Sequence, residues 1–515
     1  MSDETRAKPT ADEEVDARDV RKVRMGKVDE LRAEGIDPYP HRFDRDHDIA
    51  DVRDRFADLA AGDETDYKVK LAGRIVLMRG HGKLVFADLR DRTGSIQLFV
   101  SKSVVGADEL SAFENLDLGD WVGVEGTVMA SKRGELSVKL NGFEVLAKCL
   151  RPLPDKVKGL ADVDTRFRQR YVDLVVNEDT RHVFNVRFKA INAMREWFHE
   201  RGYLAVETPM LTMIQGGATA RPFITHYNAL DMDVYLRIAP ELYLKRLIVG
   251  GLEKVYEIGR VFRNEGVDTR HNPEFTMVEC YDAYADYHDM MTLTEELVSH
   301  VAKETIGTTK VTVRGQEIDL APPYPRETMS DLIADKLDVR VHPSMPVEEV
   351  RAVMDQLDLT YKDEWGSGKL CDQIYDKLVQ EDVLGPVFVI DHPREVSPLA
   401  KATPKDPSVV ERFELIIEGR ELANAYSELN DPTDQLERFE AEARNKAQGD
   451  VEAGDVDFDY VRALEYGLPP TGGMGLGIDR LIMLLTGKTS IREVILFPTL
   501  RPEVFADEPD EPLGD

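Results

Sequence analysis

Cysteine is scarce in this chain of 515 residues, where Cys149, Cys280 and Cys371 lie far apart and form no CxxC pair. A disulfide framework or a cysteine-rich zinc site is therefore not expected, and a reducing compartment is favoured. Uncharged apolar runs of about 18 residues are also missing, so we expect no membrane-spanning segment. The first residues, MSDETRAKPTADEEV, lack the apolar centre of a secretory signal. These absences predict a cytoplasmic protein without membrane contact.

Basic residues are outnumbered, with 66 Lys and Arg against 97 Asp and Glu, for a formal charge of −31. Proteins that coat nucleic acid without sequence preference must neutralise many phosphates, so the charge balance argues against this class. A nucleic acid held in a locally basic groove is not excluded. The hydrophobic content of 42% is sufficient for sizeable cores, and the length predicts about three domains at about 150 residues each.

Several common catalytic motifs are absent. TGKTS at 486–490 would need glycine at position 482 to complete a P-loop, and Ile482 stands there. GGMGLGIDR at 472–480 lacks the GxGxxG spacing of dinucleotide-binding sites. HERGY at 199–203 fails HExxH, no GxSxG occurs, and no histidine begins the HxGH of the Rossmann-based nucleotide-activating ligases. If ATP binds, it binds through another architecture.

The texture of the chain predicts an α+β protein with a separate N-terminal β-barrel. Strands of four to eight residues between glycine-rich turns favour a five-stranded OB barrel. The fold alone leaves nucleic-acid binding and a structural module equally open. The predicted segments are a disordered acidic N-terminus (1–15), a helical segment (16–65), the OB barrel (66–150), a connector (151–180), the α+β domain (181–500) and an acidic tail (501–515).

The 181–500 segment begins with an amphipathic helix that stops at Gly202, because Phe184, Met194 and Phe198 recur near helical spacing. The strands and helices that follow lack regular βαβ alternation. An antiparallel sheet flanked by helices is therefore expected. Residues 290–385 are predicted to form a mostly helical insertion.

The segment VYEIGRVFRNEGVDTRHNPEFTMVECYDAY is predicted to form two strands joined by a polar loop at 264–273. Phe275, Met277, Glu279 and Tyr281 then share one face of the second strand, because alternate side chains point the same way. A buried, unpaired carboxylate costs several kcal/mol, so a polar partner is expected. An ion pair with a nearby arginine is the structural alternative to a ligand.

Asn424, Tyr426 and Glu428 share a face in the stretch ERFELIIEGRELANAYSELND, which also contains Glu414 and Glu421. Paired carboxylate oxygens suit Mg²⁺ that enters with nucleotide phosphates. Solvated surface acid is the alternative.

A third stretch, GGMGLGIDRLIMLL, joins a glycine-rich strand to an apolar helix, and Arg480 lies at the junction. The glycines permit close backbone approach, either for tight packing or for a ligand, and the arginine there favours an anion.

Together, these three stretches resemble the signature motifs of the class II aminoacyl-tRNA synthetases. The helix 184–201 followed by GYLAVETPML resembles motif 1, with Pro209 where that family meets its dimer partner. FRNEG…HNPEF resembles motif 2, and GLGIDR resembles motif 3. Their order, with GGATARPF and RIAPELYLKRLIVGG between them, resembles the lysyl-tRNA synthetase subgroup that carries an N-terminal anticodon-binding OB domain. The resemblance covers residues 16 to 500.

The resemblance implies ATP-dependent attachment of L-lysine to tRNA(Lys) through a lysyl-adenylate, by a homodimer that uses Mg²⁺. It makes Arg263 and Arg480 catalytic, through charge stabilisation rather than nucleophilic attack. The residues implied to bind ATP are Arg263, Glu265, His271, Asn272, Phe275, Glu414, Glu421 and Arg480, with Glu414 and Glu421 also holding the metal. Those implied to bind lysine are Gly217, Glu241, Arg263, Glu279, Tyr281, Asn424, Tyr426 and Glu428.

The resemblance also assigns anticodon reading to Arg79, Phe86 and Gln97 of the barrel, which suits bases that stack on aromatics and hydrogen-bond through exposed edges. The basic helix at 16–35 is a candidate further RNA contact. Two rival interpretations remain: a relative that attaches lysine to a protein, and a catalytically dead tRNA-binding protein. The OB barrel argues against the first, because such relatives lack it, and the motif residues argue against the second.

Overall fold

The computed structural model describes residues 11–154, 160–218, 220–266, 268–447 and 454–502. The chain divides into two compact units, which meet in sequence between Ala161 and Asp162. Among the described helices, none combines the length and apolar character that crossing a bilayer requires.

The first unit is a closed β-barrel with helices around it. Its elements are α1 (Ala11–Ala33), α2 (Ile49–Arg55), β1 (Glu64–His81), β2 (Leu84–Arg90), β3 (Ser95–Ser101), α3 (Lys102–Val105), α4 (Ala107–Glu114), β4 (Trp121–Ala130) and β5 (Leu136–Ala147). The described strands close in the order β1-β2-β3-β5-β4. Alternate residues of β2 are buried, as expected when one face of each strand fills the barrel. The predicted five-stranded OB barrel is confirmed.

Helix α1 is tied to the barrel by its basic side chains. Arg24 donates a hydrogen bond to the Cys149 carbonyl at 2.5 Å, and Lys27 pairs with Asp117 at 2.9 Å. The helix begins at Ala11, so the prediction of disorder through residue 15 is wrong from that residue on. Residues 1–10 of that predicted segment, and 503–515 of the predicted tail, lie outside the described residues.

The second unit is built on a mixed sheet. Its first elements are α5 (Val163–Arg168), α6 (Arg170–Val176), α7 (Glu178–Glu200), β6 (Leu204–Ala205), β7 (Leu211–Thr212), β8 (Ile224–Tyr227), β9 (Met232–Leu236), α8 (Glu241–Val249), β10 (Lys254–Phe262), β11 (Glu274–Ala283) and α9 (Tyr287–Ile306). Next come β12 (Lys310–Val313), β13 (Gln316–Asp319), β14 (Arg326–Thr328), α10 (Met329–Leu337), α11 (Val347–Gln356), α12 (Ser367–Leu378) and a 3₁₀ turn (Gln380–Asp382). The last are β15 (Val387–Pro393), a 3₁₀ turn (Arg394–Val396), β16 (Ala402–Thr403), β17 (Asp406–Ile417), β18 (Arg420–Ser427), α13 (Pro432–Ala447), α14 (Phe458–Glu465), β19 (Thr471–Gly477), α15 (Ile478–Thr486) and α16 (Ile491–Val494).

Within the described residues the main sheet has nine strands, in the order β14-β15-β17-β18-β19-β11-β10-β6, with β16 paired to β17. The pairs are antiparallel except β14 with β15 and β10 with β6. One face of its centre carries small and apolar residues, including Val278, Ala425 and Leu476, which pack under α7, α9 and α15. Alternation along the strands leaves the opposite face free for polar side chains. The predicted helix-flanked, largely antiparallel sheet is confirmed.

The predicted connector at 151–180 does not match the structure, because α5 and α6 lie inside it and belong to the second unit. Buried Arg170 pairs with Asp173 at 2.5 Å and donates to the carbonyls of Leu496 and Arg492. These bonds tie α6 to the far end of the same unit, which therefore begins at Asp162 rather than at 181.

The predicted helical insertion at 290–385 contains three different parts. Helix α9 packs in the main core, and β12 and β13 form a hairpin that the sequence reading missed. Helices α10, α11 and α12 enclose a separate core around Ile333, Val350 and Ile374.

Candidate active site

A cavity of about 360 Å³ opens on the polar face of the main sheet. Its floor is β19, which lies between β11 and β18. Gly475 is paired with Glu279 on one side and Asn424 on the other, and Gly473 is paired with Tyr281 and Tyr426. A Cβ on Gly473 would lie 2.0 Å from Oε1 of Glu428 and 2.5 Å from the Tyr281 ring. The strand must therefore be glycine here for the large polar side chains to meet.

One end of the cavity is acidic. It contains three buried glutamates, each at most 6% exposed: Glu241, Glu279 and Glu428. The Tyr426 hydroxyl donates to Oε1 of Glu241 at 2.5 Å, and the Tyr281 hydroxyl donates to Oε2 of Glu279 at 3.2 Å. Three buried carboxylates so close together call for cations, because each is deprived of water and repels the others.

Burial and its neighbours alter the acidity of this cluster. Burial, reinforced by the Glu241 carboxylate, raises the pKa of Glu279 to about 8. Burial also raises the pKa of Glu428 well above its ordinary value, although Lys245 acts in the opposite direction. Glu279 therefore favours its protonated form near neutral pH, and a cation beside it would favour loss of that proton.

The other end of the cavity carries arginines. The Arg263 guanidinium lies 5.1 Å from the centre of the Phe275 ring. Its buried Nε has no hydrogen-bond partner among the described residues. Arg480 donates to the Glu421 carbonyl at 2.5 Å, and its guanidinium is 3.5 Å from the Glu421 carboxylate. A cavity with cations at one end and carboxylates at the other suits a ligand with an anionic head and a cationic tail.

Most of the predicted site residues line this cavity. They are Gly217, Glu241, Arg263, Glu265, His271, Asn272, Phe275, Glu279, Tyr281, Glu421, Asn424, Tyr426 and Arg480. Glu428 does not line the cavity, but its carboxylate lies against Gly473 on the same face as the Tyr281 ring, at the acidic end. Glu414 is set back under Arg412, which pairs with it at 2.6 Å and donates to Oδ1 of Asn424 at 2.9 Å.

Two residues of the motif 2 loop have local partners. Exposed His271 pairs with Asp268 at 2.9 Å. Buried Asn272 donates to the Glu274 carbonyl at 2.6 Å and accepts from the Thr499 backbone at 3.4 Å. Asn272 therefore braces the loop at the edge of the cavity.

The sequence reading missed Lys245 and Arg412. Lys245 lies four residues after Glu241 on α8, a spacing that brings two helical side chains together, and its ammonium is 2.5 Å from the Glu241 carboxylate. Arg412 lies two residues before Glu414 on β17 and shares its face. The sequence shows both spacings, and each predicts a local ion pair. Neither spacing indicates that the pair lies beside a cavity.

The predicted anticodon residues lie together on the outer face of the barrel. Arg79 is paired with Phe86 across β1 and β2, and Gln97 accepts a hydrogen bond from the Ser137 hydroxyl at 3.1 Å. Phe99, which the sequence reading missed, is edge-on to Phe86 with 5.5 Å between ring centres. The cluster offers aromatic faces and polar groups in one place.

Known families account for both units. A family model for class II tRNA synthetases (D, K and N) matches residues 162–501, which is most of the chain. The chain belongs to the class II tRNA synthetases. A model for OB-fold nucleic acid binding domains matches residues 69–146 of this synthetase.

Curated relatives of this synthetase match it over nearly its whole length. The lysine–tRNA ligase of Bacillus subtilis (strain 168) is 52% identical over 485 residues, which is 94% of this chain and 97% of its own. The lysine–tRNA ligase of Pelotomaculum thermopropionicum is 51% identical over 95% of this chain and 96% of its own. That of Staphylococcus aureus (strain MRSA252) is 51% identical over 93% and 98%.

The raised pKa of Glu279 makes a prediction about stability. The folded, ligand-free synthetase keeps a proton on Glu279 up to about pH 8, whereas the unfolded chain loses it near 4.5. Between these values the unfolded state binds fewer protons, so the free energy of unfolding falls as pH rises. Glu279→Gln has no carboxyl group at this position, so its free energy of unfolding does not fall with pH for this reason. We expect the free energy of unfolding of the variant, relative to that of the parent protein, to rise between about pH 5 and pH 8 by on the order of a few kcal/mol.

Calorimetric unfolding of both ligand-free proteins across that pH range measures the gain. Glu200→Gln, at an exposed position of α7, corrects for the loss of one negative charge. A stability difference that does not change with pH would contradict the prediction.

Proposed function

We propose that this synthetase joins L-lysine to tRNA(Lys) in two steps, with ATP as the energy source and a lysyl-adenylate as the intermediate. The observation that carries the proposal is the buried acidic end of the cavity, opposite the arginines. Lysine has a carboxylate at one end and a second ammonium at the other, which matches this polarity. The similarity to lysine–tRNA ligases over more than nine-tenths of the chain supports it.

In the first step, an oxygen of the lysine carboxylate attacks the α-phosphorus of ATP, and the bond to pyrophosphate breaks. Both reactants are anions, so the step needs positioned positive charge rather than a nucleophilic side chain. Arg263 is proposed to bridge the carboxylate and the α-phosphate, and its unpartnered Nε supports this role. Arg480 is proposed to bind the terminal phosphates. In the second step, a ribose hydroxyl at the tRNA 3′ end attacks the lysyl carbonyl and releases AMP.

Lysine is proposed to lie along β19. Glu241 and Gly217 would receive the α-ammonium, and Asn424 would orient the carboxylate. Glu279, Tyr281 and Glu428 would surround the ε-ammonium. Tyr426 would pack against the aliphatic stem while its hydroxyl holds Glu241. A site built for a buried polar tip rejects analogues that lack the tip by about 10⁴-fold or more.

ATP is proposed to stack its adenine on Phe275 and to hydrogen-bond it to Glu265, with His271 and Asn272 beside the phosphates. Glu414 and Glu421 fit a Mg²⁺ ion that enters with ATP. Burial raises the pKa of Glu414 to about 7, although the Arg412 guanidinium acts in the opposite direction. The ion would neutralise phosphate charge when bound. No cluster of three or more His, Cys, Asp or Glu side chains that could hold a metal occurs among the described residues.

In the barrel, the unpaired bases of the anticodon would be read by Arg79, Phe86 and Gln97. A homodimer through the Pro209 region is supported by exposed apolar side chains nearby, including Met210, Leu211, Met213 and Ile224, because large apolar patches mark interfaces. We also propose a cytoplasmic location, which the sparse cysteines and the translation substrates support.

Pyrophosphate exchange into ATP, measured with each proteinogenic amino acid and without tRNA, tests the proposal. Lysine alone should support exchange. Exchange with aspartate or asparagine would preserve the fold assignment and overturn the role of Glu279 and Glu428. Exchange with none would favour the binding-only alternative. A relative that lysylates a protein is already disfavoured by the OB-fold match.

Arg263→Ala should reduce lysine-dependent exchange by at least about 100-fold, because charge stabilisation of this kind contributes about 10²–10³ in rate. Binding of tRNA should change little, since its anticodon contacts are proposed to lie in the other unit. Arg340→Ala, at an exposed arginine of the same unit, is the control. Near-normal exchange by Arg263→Ala would remove its proposed role.

Phe86→Ala should weaken tRNA-dependent charging and spare lysine activation. Stacking of a base on an aromatic ring contributes about 1–3 kcal/mol, so the KM for tRNA should rise about 5- to 150-fold. Tyr39→Ala, at an exposed aromatic of the same unit, should leave that KM unchanged. Equal losses of charging and activation in Phe86→Ala would contradict the anticodon assignment.

A further inference from the structure

Lys245 is a buried cation beside the cavity, and it has no part in the proposed binding of lysine or ATP. It is 0% exposed and does not line the cavity. Its ammonium lies 2.5 Å from Oε1 of Glu241 and also pairs with Glu428. The rings of Tyr426 and Tyr460 lie 5.3 and 6.0 Å from it. The ammonium therefore holds, from behind, two of the carboxylates proposed to receive lysine.

The charges around this cluster can be counted from the elements packed against it. Arg237 is paired with Glu257 at 2.6 Å, which makes that pair neutral, and Arg246 is shared between Asp457 at 2.8 Å and the more exposed Asp459 at 3.2 Å. The groups that face the cluster are Glu241, Lys245 and Arg246 from α8, Glu257 from β10, Glu279 and Tyr281 from β11, Tyr426 and Glu428 at the end of β18, Asp457 and Tyr460 at the start of α14, and Arg237 before α8. Among these described groups, Lys245 is the cation that pairs with Glu241 and Glu428, and Glu279 has a hydrogen bond from Tyr281 and no ion pair. When all three are ionised, they therefore carry two negative charges more than Lys245 compensates.

We propose that Lys245 is a positioning residue that aims Glu241 and Glu428 at the substrate. With lysine bound and the three carboxylates ionised, the pocket then has two negative charges that Lys245 does not compensate, equal to the two ammonium groups of lysine. This inference rests on the proposed function. An amino acid with one ammonium would leave a buried carboxylate without a partner, which is unfavourable. Without Lys245, the three carboxylates would hold protons more strongly, and these protons would compete with lysine for the same oxygens.

Lys245→Met tests the inference, because methionine keeps much of the length and removes the charge. Lys148→Met is a matched control: Lys148 is also buried and also held by two carboxylates, those of Asp117 and Asp120, in the barrel unit. Lysine-dependent pyrophosphate exchange gives the KM for lysine and for ATP separately. We expect Lys245→Met to raise the KM for lysine at least about tenfold and to leave the KM for ATP within about twofold. Lys148→Met should change neither.

The pH profile adds a readout that a purely structural residue would not move. In the parent protein the KM for lysine should rise as pH falls, since protons and lysine compete for the carboxylates. In Lys245→Met this rise should begin at higher pH, because a cation that favoured the ionised carboxylates is gone. Lys245→Met/Glu428→Gln restores the count of two negative charges, so its KM should be smaller than the product of the two single effects predicts.

The outcomes separate the two proposals. If the parent protein shows no lysine-dependent exchange, the proposed function fails. If the parent exchanges lysine and Lys245→Met keeps its KM and pH profile, the function stands and the positioning role is overturned. An equal rise in both KM values would also overturn it. If Lys245→Met does not fold, Lys245→Gln, which keeps a hydrogen-bond donor, is tested in the same way. Failure of both to fold, while Lys148→Met folds, would assign Lys245 to stability and end the proposal.

Discussion

The absence of side chains at Gly473 and Gly475, on the cavity face of β19, is the constraint on which the second unit depends. Gly473 and Gly475 lie between two strands that carry large polar residues on the same face. A single methyl group at Gly473 would overlap the Glu428 carboxylate and the Tyr281 ring. The empty strand lets side chains from β11 and β18 meet above it, and it leaves room for a narrow, extended ligand. The opposite face of the same strand carries Met474 and Leu476 into the main core, so the floor is firmly held.

Carboxylates that lie close together in that space repel each other. Groups at the edge of the cavity reduce this repulsion and leave the cavity open. Hydroxyl groups of Tyr281 and Tyr426 bind two of the acids, and Lys245 binds two from behind. The remaining charge is left for a ligand. At the other end, Arg412 is bound to Glu414 and Asn424, while Arg263 keeps a free Nε among the described groups. Each end of the cavity therefore combines a bound charge with an available one.

In the proposed function, the second unit recognises the amino acid and the barrel recognises the nucleic acid. In the second unit, the proposed selectivity depends on buried groups whose interaction energies are large because water is excluded. In the barrel, Phe86, Phe99 and Gln97 present faces and edges on a half-buried outer surface, which suits bases that exchange water for stacking. The overall charge of −31 is compatible with this arrangement, because nucleic-acid recognition of this kind uses a small patch rather than the whole surface.

The sequence by itself determined the fold class, the barrel, the strand pair around the polar loop and the alternation that placed Glu279 with Tyr281 and Asn424 with Tyr426. These follow from local rules, since a strand's period of two fixes which side chains share a face. It did not determine where the units divide, because Arg170 is tied to carbonyls more than 300 residues away. Nor did it pair Lys245 with Glu428 or set Arg412 beside Asn424 at the cavity. Only the tertiary structure decided those, because ion pairing depends on which strands become neighbours and on how much water their side chains lose.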